Sequence, residues 1–299
     1  MIDKNEKRVV DSLRITALVE DTVSKDHLWG AHGLSFFIEV RGRKNLNLLM
    51  DTGPSGELLY HNMQLLGISL KDINMIFLTH EHEDHTGGLQ GIYVNTQLES
   101  VREIPVLCHP DVFKPKFNRL PDGSLVYKGV PNREGVLKHL KRPMFHKESY
   151  RVAPGMFTTG EIKRVAPFEM WKESHYYVEI EGSLHLDYLA SDQALVCNVK
   201  DKGLVILTGC AHAGMINTIK QAMELAGIDK IFAIIGGFHL KKKDWEKTQK
   251  TVKALKRIGV ELIAPAHCTG FEAIKELSKS FNVYSSVHGH FSTGETLTI

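Results

Sequence analysis

The sequence predicts an α/β protein in which mixed β-sheets are covered by helices on their outer faces. Short β-rich runs recur along the 299 residues and end at Gly, Asp, His or Pro, as strands do. Other segments place apolar residues at helical spacing. The first half of the chain passes from strand to strand, whereas the second half alternates strands with helices.

The expected elements follow from these patterns in chain order. Strands are predicted at residues 15–19, 34–40, 46–50, 75–78, 106–108, 194–199, 204–207, 231–235 and 262–264. Helices are predicted at residues 55–66, 214–226, 245–255 and 272–280. Pro54 stands just ahead of the first helix, where a proline is tolerated.

The composition indicates one folded domain over residues 1–299. A hydrophobic content of 42% can bury a large core, and a net charge of +2 gives no reason to expect nucleic-acid binding. Residues 111–172 hold most of the ten prolines and are expected to form an irregular insert. Residues 111–173 contain 13 Lys and Arg against 7 Asp and Glu, so they carry +6 and the rest of the chain carries −4. Such an insert could cover an anionic substrate or be a solvated loop region.

The chain is expected to be cytoplasmic. Its apolar stretches are too short to cross a bilayer, so no membrane partner is expected. The N-terminal residues show no secretory signal. Four cysteines without a CxxC pair do not indicate a disulfide framework.

The stretch from Thr79 to Gly88 predicts a metal site with room for two ions. Four metal-competent side chains occur within six residues: His80 and His82 can hold one ion, and Asp84 and His85 a second. Imidazole suits zinc and iron, and carboxylate extends the range to manganese. Two ions 3.5–4 Å apart can share a hydroxide or clamp a leaving group.

This stretch resembles the HxHxDH signature of the metallo-β-lactamase superfamily. The Asp51 turn and the Pro265-Ala266-His267 segment resemble its upstream and downstream motifs. The resemblance implies a four-layer αββα sandwich with the site at the edge between two β-sheets. It also implies two divalent ions, with zinc favoured over iron or manganese. His80 and His82 would bind the first ion, and Asp84, His85 and His267 the second. Asp51 would brace the stretch at residues 79–88, here called the metal loop.

Four further motifs resemble one branch of the superfamily, the 7,8-dihydropterin-6-yl-methyl-4-(β-D-ribofuranosyl)aminobenzene 5′-phosphate synthases. They lie at residues 31–35, 208–214, 236–240 and 267–270. The branch is linked to methanopterin-type cofactor assembly, and its implied reaction displaces pyrophosphate from a pterin by an arylamine. Many proteins with these motifs are described only as metal-dependent hydrolases, so the family is better defined than the activity.

The chain departs from the superfamily pattern at the third histidine and the bridging aspartate. The stretch Leu189 to Leu195 has no histidine, and Cys210 stands where an aspartate is expected. We favour His212 as the missing ligand. Cys210 is a possible thiolate ligand, but the favoured interpretation of Cys210 and Cys268 is a small buried side chain. Cys108 and Cys197 are expected in the core.

Asp84 and His239 are the predicted catalytic residues. His239 would contact the substrate or act as a general acid, with capping of a strand end as the alternative. Lys241 to Lys243 could meet a phosphate or begin a solvated helix, and the role of His32 stays open. Glu83 is expected to point away from the metals. His288 and His290 have no assigned partner.

The favoured function is a transferase acting on a small anionic or pterin-like substrate. A metal-dependent hydrolase of a phosphodiester or other ester is the first alternative. A non-catalytic metal-binding or ligand-binding protein is a second, because the usual third histidine is missing. A third is di-iron redox chemistry, although no partner domain is expected after residue 299. The sequence predicts no oligomeric state.

Overall fold

The computed structural model describes residues 9–98, 102–170, 175–241, 244–285 and 289–299. The strands are β1 Ser12–Val19, β2 Ser35–Arg41, β3 Leu46–Met50, β4 Met75–Phe77, β5 Val106–Cys108, β6 Lys116–Arg119, β7 Leu125–Tyr127, β8 Pro143–Phe145, β9 Arg151–Ala153, β10 Met156–Thr158, β11 Tyr176–Ile180, β12 Ser183–Leu186, β13 Ala194–Val199, β14 Gly203–Thr208, β15 Ile231–Gly237, β16 Leu262–Ala266, β17 Asn282–Val283 and β18 Thr296–Thr298. The α-helices are α1 Gly56–Leu65, α2 Glu83–Thr86, α3 Leu89–Leu98, α4 Arg133–His139, α5 Met215–Ala226, α6 Trp245–Ile258 and α7 Phe271–Ser278, with short 3₁₀ turns at Leu70–Asp72, Pro110–Phe113 and Pro167–Glu169.

Two seven-stranded sheets form the centre of the fold. The first has the order β18-β1-β2-β3-β4-β5-β8 and the second the order β17-β16-β15-β14-β13-β10-β9. In each sheet one half is antiparallel, and the half that carries the motifs is parallel: β3-β4-β5-β8 and β14-β15-β16-β17. The carboxyl ends of these parallel strands therefore meet at one edge of the sandwich.

Buried apolar side chains form three clusters. The largest cluster lies between the two sheets and includes Phe36, Phe77 and Leu207. A second packs α5, α6 and α7 on the outer face of the second sheet, and a third packs α1, α3 and α4 on the first. This arrangement is a four-layer αββα sandwich, which confirms the expected fold class. Among the described residues, no helix is long and apolar enough to span a membrane.

The stretch predicted to be an irregular insert is more ordered than expected. Within residues 111–170 the structure has five strands and one helix, so the prediction of irregular structure was wrong. β8 extends the first sheet, and β9 and β10 extend the second. β6 and β7 join β11 and β12 in a separate four-stranded antiparallel sheet, here called the cover sheet.

Most of the other predicted elements agree closely with the structure. β3, β5 and β13 have the predicted limits, and α1 begins after Ser55, whose side chain accepts a hydrogen bond from the Leu58 amide. β15 continues two residues beyond its apolar run to Gly237. That extension brings His239 to the same edge as the other motif residues.

Candidate metal centre

Five strands of the two sheets supply the candidate site. Each places its residues just after its carboxyl end, the edge where α/β folds bind ligands. β3 leads to Asp51, β4 to residues 79–88, β14 to Cys210 and His212, β15 to His239, and β16 to His267. The motifs are far apart in the sequence, and the topology brings them together.

Three histidine nitrogens form a first cluster. His82 Nδ1 lies 3.1 Å from His80 Nε2 and 3.2 Å from His212 Nε2. All three side chains are buried. The sequence-predicted pair His80 and His82 thus gains His212 as a neighbour, the residue favoured in place of the missing third histidine.

A second cluster adjoins the first. His267 Nε2 lies 3.3 Å from His85 Nε2 and 3.1 Å from Asp84 Oδ2. Cys210 Sγ lies 3.2 Å from His85 Nε2. The same sulfur lies within 4.8 Å of ligand atoms in both clusters, so Cys210 stands between them. Its surroundings are polar, unlike those of the core cysteines Cys108 and Cys197.

The hydrogen bonds on the outer ring nitrogens assign the tautomers and show that a cation fits. His85 Nδ1 donates to Asp51 Oδ2 at 2.7 Å, and His267 Nδ1 to Asp21 Oδ1 at 2.8 Å. The Nε2 atoms of both rings therefore face each other beside Asp84 Oδ2. Burial opposes protonation of His267, but its hydrogen bonds to Asp21 and Asp84 outweigh burial and raise its pKa well above the usual value. The position between the two rings thus accommodates a positive charge, which a bound metal ion would supply in place of that proton. Imidazole, carboxylate and thiolate together suit zinc or iron, and carboxylate support of ligating histidines is common at metal sites.

Asp51 organises the metal loop from behind. Its carboxylate accepts hydrogen bonds from the Thr79 amide at 2.8 Å and the Thr79 hydroxyl at 2.7 Å, in addition to His85. The loop packs so closely here that a Cβ on Gly209 would lie 2.1 Å from Thr79 Oγ1. Only glycine fits between the two sheets at this point.

Several strand ends adopt strained backbone. Asp51, Ala211, His239 and His267 all have positive φ, between 46° and 56°. Non-glycine residues seldom adopt this conformation, and such outliers concentrate at functional sites. At these residues the backbone turns sharply after each strand. The turns direct the following side chains into the site.

Burial and neighbouring charges shift the ionisation of the site. Burial lowers the pKa of His80 and His212 well below the usual value, and that of His82 to about 4. Burial opposes ionisation of Asp84, but His85 and His267 outweigh it and hold the pKa of that carboxyl well below its usual range. Neutral imidazoles and an ionised carboxylate are the forms that bind a metal.

A cavity of about 440 Å³ opens onto both clusters. His239 and His32 line it, and the His239 ring lies 4.5 Å from that of His212. The cover sheet supplies further wall residues: Asn118, Lys128 and Tyr176. The metal atoms and a substrate would share this space.

Not every histidine or lysine near a strand end reaches the clusters. His109 follows β5 but bonds Glu161 at 2.9 Å, and His290 pairs with Glu20 at 2.5 Å. Lys241 lines the cavity, whereas Lys242, Lys243 and His288 lie outside the described residues. Glu83 lines the cavity and pairs with Lys128 at 2.7 Å.

Sequence reasoning missed several acidic residues of the site. Asp21 holds His267 and also bonds His32 Nδ1 at 2.9 Å, while Glu20 accepts the His267 amide at 2.6 Å. A signal was present, because this acidic pair directly follows β1, at a strand end like the recognised motifs. Glu81, within the metal loop itself, is fully buried and was assigned no role.

The fold, the motif order and the paired clusters now identify the family, because the model for the metallo-β-lactamase superfamily matches residues 28–267. The chain belongs to the metallo-β-lactamase superfamily. It is an enzyme of that superfamily, and it resembles the dihydropterin–arylamine phosphate synthase branch.

Three known proteins show what this chain is similar to. The chain is 38% identical, over 91% of its length and 92% of the relative's, to 7,8-dihydropterin-6-methyl-4-(β-D-ribofuranosyl)-aminobenzene-5′-phosphate synthase from Methanocaldococcus jannaschii. Its structure is similar to that of Tm1679, a metal-dependent hydrolase of the β-lactamase superfamily, with a TM-score of 0.76 and 26% identity over 95% of this chain and 98% of that one. YhfI from Bacillus subtilis, at 12% identity and a TM-score of 0.55 over 96% of this chain and all of that one, shares the fold.

Proposed function

We propose that this enzyme is a metal-dependent transferase that joins an arylamine phosphate to a dihydropterin in methanopterin-type cofactor assembly. The observation that carries the proposal is the 38% identity to the M. jannaschii synthase over nearly the whole of both chains. The cavity supports it, since basic and aromatic side chains, Lys128, Lys241 and Tyr176, line the space above the histidine clusters. These groups suit an anionic, planar substrate.

Two divalent ions, zinc first, are proposed for the two clusters. His80, His82 and His212 would hold the first, Asp84, His85 and His267 the second, and the Cys210 thiolate would lie between them. Bound ions would stabilise the negative charge that develops on the departing pyrophosphate. This assignment gives Cys210 the place of the bridging carboxylate and replaces its interpretation as a packing residue.

The protein's own side chains would orient the two reactants and handle the proton. In the proposed reaction the methylene carbon of the pterin loses its bond to pyrophosphate and forms one to the arylamine nitrogen. That nitrogen then gives up a proton, and the His239 imidazole, which lines the cavity, is placed to accept it. Tyr176 packs 5.3 Å from the His82 ring and provides an aromatic wall for a planar reactant.

Pyrophosphate release tests the proposal. Metal-loaded enzyme is mixed with a dihydropterin methyl pyrophosphate, with and without ribofuranosylaminobenzene phosphate. A transferase releases pyrophosphate only when the amine is present, and one coupled product forms for each pyrophosphate. Equal release without the amine identifies water as the nucleophile and contradicts the proposal.

A hydrolase of phosphodiesters or other esters is the second candidate, favoured by the structural similarity to Tm1679. The same metal centre serves either nucleophile, so the choice between amine and water depends on the cavity walls. A phosphodiester panel with wild-type protein and the His80→Ala variant tests this candidate. An optical spectrum of freshly purified protein tests the di-iron alternative, which predicts visible absorption.

A further inference from the structure

The metal loop alternates residues that face the clusters with residues that face away. His80, His82 and Asp84 reach the clusters, whereas Glu81 and Glu83 extend toward the cover sheet. Neither glutamate is a candidate metal ligand. Each pairs with a lysine, Lys116 on β6 or Lys128 directly after β7, so the two glutamates join the cover sheet to the metal loop.

The first pair is buried. Lys116, at the start of β6, places Nζ 3.1 Å from Glu81 Oε1 and 2.6 Å from Asp187 Oδ2. Glu81 is fully buried, Lys116 is 3% exposed and Asp187 is 6% exposed. Ser191 adds a hydroxyl hydrogen bond to the second oxygen of Glu81. A buried lysine between two carboxylates is costly to desolvate, so its geometry must be well defined for the fold to tolerate it.

The second pair lies at the cavity mouth and is linked to the first through the backbone. Lys128 Nζ lies 2.7 Å from Glu83 Oε1, with both side chains partly exposed. The Lys128 amide donates to the Lys116 carbonyl at 2.8 Å. The two lysines therefore hold adjacent positions of one small sheet against the two glutamates of one loop.

The buried pair is close to the cavity wall. Asn118 follows Lys116 by two residues on β6, so both side chains leave the same face of the strand, about 7 Å apart. Tyr176 pairs with Asn118 across β6 and β11. The Tyr176 ring lies 5.3 Å from the His82 ring and 6.4 Å from the His212 ring. A shift of Lys116 would move both wall residues relative to the clusters.

We propose that Lys116 is a positioning residue: held between Glu81 and Asp187, it fixes the cover sheet above the metal loop and thereby places Asn118 and Tyr176 against the substrate. The inference rests on the proposed function only where substrate binding is concerned. It assigns a role to the basic insert. Lys116 holds the sheet that forms the cavity wall, and Lys128 lies at the cavity mouth.

Lys116→Met tests the proposal with metal-replete enzyme, and Lys114→Met is the matched control. Lys114 lies two residues earlier and pairs with Asp111 at 2.7 Å, but its side chain is 38% exposed. We expect Lys116→Met to speed amide hydrogen exchange in β6 and β11. Exchange in β3 and β14 and the amount of bound metal should not change. KM should rise about tenfold and kcat change less than about threefold, because the wall binds substrate and does not touch the metals. Lys114→Met should match the wild type.

A triple variant, Glu81→Gln/Lys116→Met/Asp187→Asn, keeps the test decisive if Lys116→Met unfolds. It leaves no unpaired buried charge, so it is expected to fold while exchange in β6 and β11 stays fast. Exchange equal to that of Lys114→Met, or faster exchange spread evenly over both central sheets, overturns the positioning role. The exchange measurement needs no substrate, so it decides this inference even if the proposed transferase reaction is not observed.

Discussion

Cys210 is the residue that the clusters have in common. Its sulfur lies 3.2 Å from His85 Nε2 and within 4.8 Å of ligand atoms on both sides. The superfamily pattern has an aspartate at this position. A thiolate is a softer ligand than a carboxylate, which favours zinc or iron over manganese.

Replacing Cys210 with alanine is expected to reduce the bound metal from two ions to one and to lower turnover by at least about 100-fold, since a lost ligand should cost more than a lost supporting residue. Elemental analysis after dialysis and a turnover assay measure both effects. Cys197→Ala is the control, because Cys197 is a buried core thiol whose pKa is raised by burial. Two tightly bound ions in Cys210→Ala would disprove the shared role.

An Asp51 variant tests whether this carboxylate orients the candidate metal ligand His85. Asp51→Asn weakens the hydrogen bond to His85 Nδ1, and metal affinity is expected to fall about 10- to 100-fold. Competition with a chelator of known affinity measures the change. Ser35→Ala is the control, because the Ser35 hydroxyl bonds the Asp51 carbonyl rather than its carboxylate. Equal affinities for both variants would show that the carboxylate has no supporting role.

Among single residues, the sequence predicted those that stand in contiguous motifs. It missed those that only the fold brings together. The candidate ligands between His80 and His85 stand in one short run, and His267 belongs to a recognisable motif. Lys116 and Glu81 are 35 positions apart, so no spacing rule connects them. His212 was predicted because the sequence places it at a strand-to-helix turn, whereas the polar surroundings of Cys210 appear only after folding.

Among the elements, α1 and α3 pack unusually closely. A Cβ added to Gly91 would lie 2.5 Å from the Gly56 Cα, so the two helices meet backbone to backbone. This contact holds α1, which follows the Asp51 turn, against α3, which follows the metal loop.

Gly91→Ala sets a gain in helix propensity against the cost of overpacking. Alanine favours the helix by about 1 kcal/mol, whereas overpacking costs about 1–3 kcal/mol. Because the clash is with backbone, which cannot rotate away, we expect the cost to win and the melting temperature to fall. Thermal unfolding measures this, with Val94→Ala in the same helix as the control, since Val94 is 48% exposed. A melting temperature equal to or above the wild type would contradict the close contact.

The strands that are buried on both faces were predicted correctly. β3, β5 and β13 are apolar runs in the central sheets, and their limits follow from their hydrophobicity. The cover sheet was missed because β7 and β12 are exposed along their whole length, so they show no alternation of buried and exposed residues. Its position is determined by pairing with distant strands and by the buried Lys116.

For the whole molecule, the candidate metal centre lies between the two central sheets. Strand ends from the first sheet supply residues 79–85, and those from the second supply Cys210, His212 and His267. His85 Nε2, from the first sheet, lies 3.3 Å from His267 Nε2, from the second, so an ion bound by both would tie the two sheets together. Bound metal should therefore stabilise the sandwich as a unit.

Metal removal is expected to lower the melting temperature by about 5 °C or more, because a ligand at 100 times its dissociation constant contributes about 2.7 kcal/mol per site. Thermal unfolding of chelated and metal-reloaded protein measures the difference. His109→Ala, which alters a histidine outside the clusters, should keep the full response. An identical melting temperature with and without metal would show that the clusters do not bind it in the folded state.

Anomalous diffraction from crystals grown with zinc tests the two-metal centre most directly. The account predicts two peaks, one among His80, His82 and His212 and the other among Asp84, His85 and His267, with Cys210 Sγ at bonding distance from both. One peak alone, or two peaks with Cys210 bonded to neither, would contradict it.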